Sequence, residues 1–233
     1  MKISIIIPAL NEVQHIGPLV GLLKRDPSFP LVREIIVVDG NSEDGTASEA
    51  RRAGALVVHS PQRGRASQMN LGAAQAQGEI LYFLHADTVP PCEFAQQIWE
   101  AHARGYKTGC FRLKFDWSHW FLSFNSWFTR FNLNLLRFGD QSLFIERRIF
   151  DASGGFNSNM KIFEDQDIID RACKKKQFVV LPNQVITSAR KYRQNGPFRL
   201  QLAYFILYLF YKFGLSQQNL VRLYLKMVPF PRV

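Results

Sequence analysis

Beyond Asp170 the chain has no aspartate or glutamate, yet the same stretch holds 12 of its 29 lysines and arginines. The net charge of +10 therefore resides in the last quarter, and a face of that sign suits phosphate groups, an anionic membrane surface or nucleic acid. Cysteine is scarce. Cys92, Cys110 and Cys173 are widely spaced and include no CxxC pair, which argues against a disulfide framework or a zinc site and favours a reducing cytoplasm. No Gly-x-Gly-x-x-Gly follows any strand-like run, so a dinucleotide-binding dehydrogenase is disfavoured. No apolar run reaches the ~20 residues that a membrane-spanning helix needs. The longest such run, Leu202 to Tyr211, stops well short. At the N-terminus, the apolar stretch before Asn11-Glu12 is too short for a secretory leader and fits a first strand better. Internal repeats and low-complexity linkers are also missing.

What is present is a set of apolar runs of strand length, each of which stops on a carboxylate or leads straight to one. Gly78-Glu79-Ile80-Leu81-Tyr82-Phe83-Leu84 runs into His85-Ala86-Asp87, and Glu34-Ile35-Ile36-Val37-Val38 ends on Asp39. Ile3-Ser4-Ile5-Ile6-Ile7 leads into Pro8-Ala9-Leu10-Asn11-Glu12. Such runs read as buried parallel strands, whose carboxyl ends are where open α/β sheets bind ligands. Any one of these acids alone could be a helix cap or turn residue; three together point to a site.

Helical patterns over about 11–24, 44–53 and 66–76 alternate with these strands and with a further one at 55–59. This βαβ rhythm predicts an α/β fold with a mainly parallel central sheet and helices on both faces. With 47% hydrophobic residues, the 233-residue chain can fill one sizeable core. Later, 142–145 reads as a short strand and 166–176 as a helix. Between Phe111 and Phe138 ten aromatic residues crowd together, either as a helix packed into the core or as an acceptor- or membrane-facing surface. The stretch 197–226 reads as a helical pair that packs on the domain or lies in a membrane interface. The expected division is a catalytic domain over 1–196 and a basic, aromatic helical extension over 197–233.

The stretch Ile5 to Glu12, the run Val37-Val38-Asp39-Gly40-Asn41-Ser42-Glu43-Asp44-Gly45-Thr46, the His85-Ala86-Asp87 element and the pair Glu164-Asp165 follow one another in a telling order. Together they resemble family 2 glycosyltransferases of the GT-A fold, over nearly the whole chain. Arg63-Gly64-Arg65-Ala66-Ser67-Gln68-Met69-Asn70 and Gly139-Asp140-Gln141 resemble a subgroup of small enzymes within that family. The resemblance implies transfer of a sugar from a nucleotide diphosphate, expected to be a UDP-sugar, onto an acceptor hydroxyl with inversion. It implies that Asp39 holds the uracil or ribose, with Pro8, Ala9, Glu12, Asn70 and Ala86 around the donor. Arg63 and Arg65, beside a helix start, suit the diphosphate.

Asp87 stands where the family carries the metal carboxylate of an Asp-x-Asp motif, so a divalent cation, Mn²⁺ or Mg²⁺, is the implied cofactor. His85 takes the first place of that motif, as a ligand or as a hydrogen-bonding residue of the sheet crest. Asp165 matches the family's general base, with Glu164, Asp167, Asp140 and Gln141 in support of the acceptor side; the acidic run also suits a helix start. A nucleotidyltransferase shares the sheet but usually has a glycine-rich phosphate loop after the first strand, where this chain has Pro-Ala-Leu-Asn-Glu. A catalytically silent, membrane-bound nucleotide-binding protein would keep Asp39 without turnover. The expected partners are a nucleotide sugar, an acceptor of lipid-linked type and an anionic membrane surface, with no nucleic acid. The expected location is the cytoplasm, peripheral at the inner face of the membrane.

Overall fold

The computed structural model describes residues 1–132, 141–172 and 177–229; Asp140 and Cys173 lie outside these. Strands β1 (Ile3–Ala9), β2 (Val32–Asp39), β3 (Leu56–His59) and β4 (Ile80–Phe83) pair in parallel in the order 3-2-1-4. Helices α1 (Val13–Arg25), α2 (Thr46–Arg52) and α3 (Arg65–Gln75) make the crossovers. The fold is the expected α/β arrangement.

The sheet then continues past β4 through strands that arrive later in the chain. β7 (Leu143–Glu146) runs antiparallel beside β4, β6 (Thr108–Phe115) antiparallel beside β7, and β8 (Phe178–Thr187) parallel to β6. The two-residue β5 (Thr88–Val89) closes the edge against the end of β8, giving the eight-stranded order 3-2-1-4-7-6-8-5. The sequence pattern does not predict β5, β6 or β8. β8 is broken by a register shift in which Phe111 faces Leu181 but Arg112 faces Gln184, leaving Pro182 and Asn183 as a bulge. Proline donates no ladder hydrogen bond and is confined to such places, so the run does not read as a strand.

Alternation along the strands divides the core into two layers. Ile3, Ile5, Ile7, Ile35, Val37 and Tyr82 face one side with α1 and α4 (Phe94–Ala103). Ile6, Ile36, Val38, Leu81 and Phe83 face the other, with α3, α6 (Arg147–Ala152) and α7 (Glu164–Ala172). A third cluster joins α5 (Trp120–Trp127), α8 (Arg190–Asn195), α9 (Pro197–Lys212) and α10 (Gln217–Met227) through Leu122, Tyr192, Leu200, Leu207, Leu220 and Tyr224.

The aromatic stretch is not one packed helix. Phe111 is buried in β6 and Leu122 in the third cluster, while Trp120, Phe124, Trp127 and Phe131 are exposed.

Helix α3 lies unusually close to the sheet because of Gly72. A Cβ there would sit 2.4 Å from Ile6 Cγ2 and 2.9 Å from Val38 Cγ2. Gly72→Val forces branched carbon into this contact, and overpacking of that kind costs about 1–3 kcal/mol. The expected result is a melting temperature lowered by about 2–12 °C, measured by thermal unfolding.

Candidate active site at the sheet crest

The loops after β1 and β2 are stitched together by their own polar residues. Asn11, at φ +54°, takes the left-handed conformation that asparagine tolerates. Its backbone N–H donates to Ser42 Oγ at 2.9 Å, and its Oδ1 accepts from the Glu43 N–H at 2.9 Å. The N–H groups of Glu12 and Val13 donate to Thr46 Oγ1 at 2.8 Å and Asp44 Oδ2 at 3.2 Å. Slight burial pulls the Asp44 carboxyl upward, but hydrogen bonds from the Thr46 hydroxyl and from backbone N–H groups outweigh it and hold the group below its ordinary value. A depressed carboxylate stabilises the fold above its unfolded pKa, so the Asp44 contribution is present at neutral pH and is lost as pH falls through the folded value.

Asp39 ends β2 almost wholly buried, with 2% of its surface exposed. Its Oδ2 accepts from the Ser42 N–H at 3.2 Å and lies 3.4 Å from His59 Nδ1 at the end of β3. Its Oδ1 is buried with no hydrogen-bond partner. An unpaired buried acceptor costs about 1–3 kcal/mol, so this oxygen is an open position for a ligand donor. Ala9, also buried, and Pro8 end β1 beside it. Gln68 of α3 fixes this pair of strand ends by donating from Nε2 to the carbonyls of Ala9 at 2.9 Å and Val38 at 2.8 Å. Nothing local in the sequence marks that role.

At the end of β4 the chain turns, with the Thr88 N–H donating to the His85 carbonyl at 3.1 Å; His85 and Asp87 are partly exposed and Ala86 is buried. The Asp87 carbonyl accepts from the Ser188 N–H at 3.2 Å, which brings the end of β8 to this crest. Arg190, the first residue of α8, follows at once. Its guanidinium lies 2.9 Å from Glu12 Oε1 and 3.6 Å from Asp87 Oδ2, while His15 Nδ1 is 3.0 Å from Glu12 Oε2. Glu12 and Asp87 thus meet across one cation. Sequence reasoning missed Arg190, because its partners are remote in the chain.

Arg63 and Arg65 flank Gly64, whose φ of +133° suits glycine, and Arg65 opens α3. Arg63 is 3.4 Å from exposed Glu43, and Arg65 NH1 is 3.6 Å from buried Glu164 Oε1, tying the start of α3 to the start of α7. In α7, Asp165 is partly exposed, whereas Asp167 is held at 2.6 Å by Arg171, which also donates to the carbonyls of Ser153 and Gly155. Asn70 uses its amide inside the protein, donating to the Phe156 carbonyl at 2.8 Å and accepting from the Phe156 N–H at 2.8 Å. Gln141 is buried, with Nε2 3.4 Å from the Phe111 and Thr129 carbonyls and Oε1 without a partner. Asp140 falls outside the described residues, so its place is not assigned.

Among the described residues no three His, Cys, Asp or Glu side chains form a group that could hold a metal ion alone. A hard divalent cation often takes only one or two carboxylates and completes its shell with substrate phosphates and water. Asp87, half open beside Arg190, fits that lesser demand.

The chain belongs to glycosyl transferase family 2, which matches residues 4–165. It is 35% identical over 98 residues to the glucosyl-3-phosphoglycerate synthase of Mycolicibacterium smegmatis, covering 38% of this chain and 32% of that protein. It is 29% identical over 118 residues to the dolichol-phosphate mannosyltransferase of Saccharomyces cerevisiae, covering 47% of this chain and 44% of that one. The chain therefore spans less than half the length of these curated relatives. The fold is similar to that of a Pyrobaculum calidifontis mannosyltransferase in complex with GDP-Man and Mn²⁺, with a TM-score of 0.67, 19% identity, and coverage of 88% of this chain and 62% of that one. It is also similar to the Mycobacterium tuberculosis glucosyl-3-phosphoglycerate synthase in complex with Mn²⁺, UDP and glucosyl-3-phosphoglycerate, with a TM-score of 0.57, 18% identity, and coverage of 99% and 81%.

The residue before α7, Phe163, sits at φ +67°, a conformation that costs a bulky residue roughly 1–2 kcal/mol. Its ring packs 5.8 Å from Tyr208 and 5.2 Å from Tyr211 of α9, which hold it there. Phe163→Ala and Phe163→Gly both lose these ring contacts, but only glycine accepts the backbone angle without strain. Urea unfolding should find the glycine variant more stable than the alanine variant by about 1 kcal/mol, the reverse of the order set by helix propensity.

Proposed function

We propose that the chain transfers a sugar from a nucleotide diphosphate, favouring UDP-sugars, to an acceptor hydroxyl with inversion at the anomeric carbon. The observation that carries this reading is the buried, unpartnered Oδ1 of Asp39 on the same crest as Glu12, Asp87 and Arg190. A carboxylate oxygen in that state accepts a hydrogen bond from the donor's uracil or ribose. Pro8, Ala9 and Ala86 shape the neighbouring wall. Arg63 and Arg65 at the start of α3 face the diphosphate, where guanidinium forks and helix N–H groups both favour anions. Asn70 serves the site by holding the 156–158 loop against α3.

Asp87 would hold the divalent cation, Mn²⁺ or Mg²⁺, with His85 beside it. That ion offsets charge on the departing diphosphate. Arg190 balances Glu12 and Asp87 from the protein side of the same cluster. Of the three carboxylates in the first turn of α7, Glu164 is turned to Arg65 and Asp167 is committed to Arg171. Asp165, partly exposed in the same turn and matching the family's base, would take the proton from the acceptor hydroxyl as its oxygen attacks the anomeric carbon. Gln141 belongs to the acceptor side of this reading.

Residues 1–196 form the catalytic unit, and 197–233 form an extension that meets an anionic membrane carrying a lipid-linked acceptor at the cytoplasmic face. No helix among the described residues is long and apolar enough to cross a bilayer. α9, however, is apolar on both faces. It buries Leu200, Ala203 and Leu207 while exposing Phe198, Leu202, Phe205 and Leu209. A helix that is hydrophobic all round is at home in a core or in lipid. Trp120 and Phe121 of α5 adjoin Phe198 at 5.8 and 4.3 Å, so two helices contribute to one aromatic face, with Trp120 70% exposed. Basic residues near an anionic surface add about 1 kcal/mol each.

Two outcomes test the reading. Asp165→Asn nearly preserves shape and removes basicity, so calorimetry should find UDP affinity within about twofold of wild type while transfer falls by ~10²–10⁴-fold. A near-native transfer rate would move the base elsewhere. In vesicle flotation at low salt, the protein should float with phosphatidylglycerol vesicles, and Trp120→Ser combined with Phe205→Ser should abolish it. Wild-type protein that stays at the bottom of the gradient would remove the membrane from the proposal.

A further inference from the structure

A cavity of about 610 Å³ opens between the loop before α3, the segment 158–161 and the N-terminal half of α10. Gln62, Ser158, Asn159, Lys161, Gln217 and Arg222 supply its polar lining, and among the described residues no carboxylate lines it. Arg222 makes no ion pair or hydrogen bond among the described residues, and Lys161 Nζ has only the Arg63 carbonyl, at 3.4 Å. Two cations that line one cavity, with no acidic partner among the described residues, attract an anion. The site is braced: Gln217 Oε1 accepts from the N–H groups of Lys161 at 3.0 Å and Ile162 at 3.2 Å, fixing α10 against the segment that leads into α7.

The cavity adjoins the loop that carries Arg63, whose carbonyl lies 3.4 Å from Lys161 Nζ. Gln62 directly precedes Arg63, and Lys161 stands four residues before Asp165 in the sequence. Its volume falls in the ~300–1,000 Å³ span of small-molecule sites, far more than a single phosphate needs.

We propose that this cavity receives the acceptor through an anionic group, phosphate or carboxylate, held between Lys161 and Arg222. The assignment rests on the sugar-transfer reading, since it names the class of acceptor: a hydroxyl compound that carries its own negative charge. The anion is distinct from the donor's diphosphate, which belongs to Arg63 and Arg65.

The test is NMR titration of full-length protein with inorganic phosphate, in the presence of saturating UDP and Mg²⁺ so that the donor site is filled. Expected are saturable shifts of the Arg222 Nε–H and the Gln217 and Gln218 side-chain amides. Lys161→Gln combined with Arg222→Gln should weaken phosphate at least tenfold, with UDP affinity within twofold. Both side chains are exposed at the surface, so the fold should tolerate the change. Phosphate that no longer binds once UDP is present, or that binds the double variant unchanged, overturns the proposal. So does loss of flotation on phosphatidylglycerol vesicles by the double variant, which would assign the anion to a lipid headgroup; unchanged flotation supports the acceptor. If UDP binds to neither protein, it is the donor reading that fails, and the phosphate titration alone still decides whether the cavity holds an anion.

Discussion

The site depends on balancing negative charge at one edge of the sheet. Asp39, Glu12 and Asp87 arrive there because β1, β2 and β4 run parallel toward the same edge, and carboxylates gathered at one edge repel one another. Arg190 answers two of them at once, 2.9 Å from Glu12 and 3.6 Å from Asp87. Its partner Glu12 is 178 residues away in the chain. For that contact to exist, β8 must lie parallel to β6 and its end must meet the turn after β4. The Ser188 to Asp87 backbone bond and the Thr88–Thr187 hydroxyl pair at 2.9 Å hold it there. The later half of the sheet, otherwise an extension beyond β4, closes the ligand edge of the first half.

A second set of contacts runs from the C-terminal helices to α7. Tyr208 and Tyr211 pack on Phe163, Lys212 reaches Asp170 at 3.0 Å, and Gln217 receives the N–H groups of Lys161 and Ile162. Phe163 holds a backbone angle it would not choose alone, and the tyrosines supply the packing that keeps it. The helices with the most exposed apolar surface therefore also position the start of the helix that carries Asp165. Surface and site are parts of one packed unit, joined through the third hydrophobic cluster.

Much of the first half was legible in the chain. The isoleucine and valine runs ending near Asp39 and Asp87 needed no partner to be read as buried strands, because apolar runs of that length between turn residues are a local signal. The same holds for α1, α3 and the helical pair after Pro197. Around Phe111 to Phe131, local pattern left core and surface equally open. The structure divides the stretch, burying Phe111 in β6 and leaving Trp120 and Phe124 exposed on α5. Composition cannot make that division, since an aromatic side chain is equally suited to either place until its neighbours are known.

By itself, the sequence determined the parallel half-sheet, its terminal acids and the family, all written in contiguous runs of residues. Only the tertiary structure decided that Arg190 stands between Glu12 and Asp87, that Gln68 bridges the ends of β1 and β2, and that Asn70 and Asp167 are engaged inside the protein. Periodicity and turn chemistry act over a few residues and leave a trace in the local pattern. A charge pair or a buried amide between distant segments follows from how crossovers bring strands side by side, and no local pattern carries it.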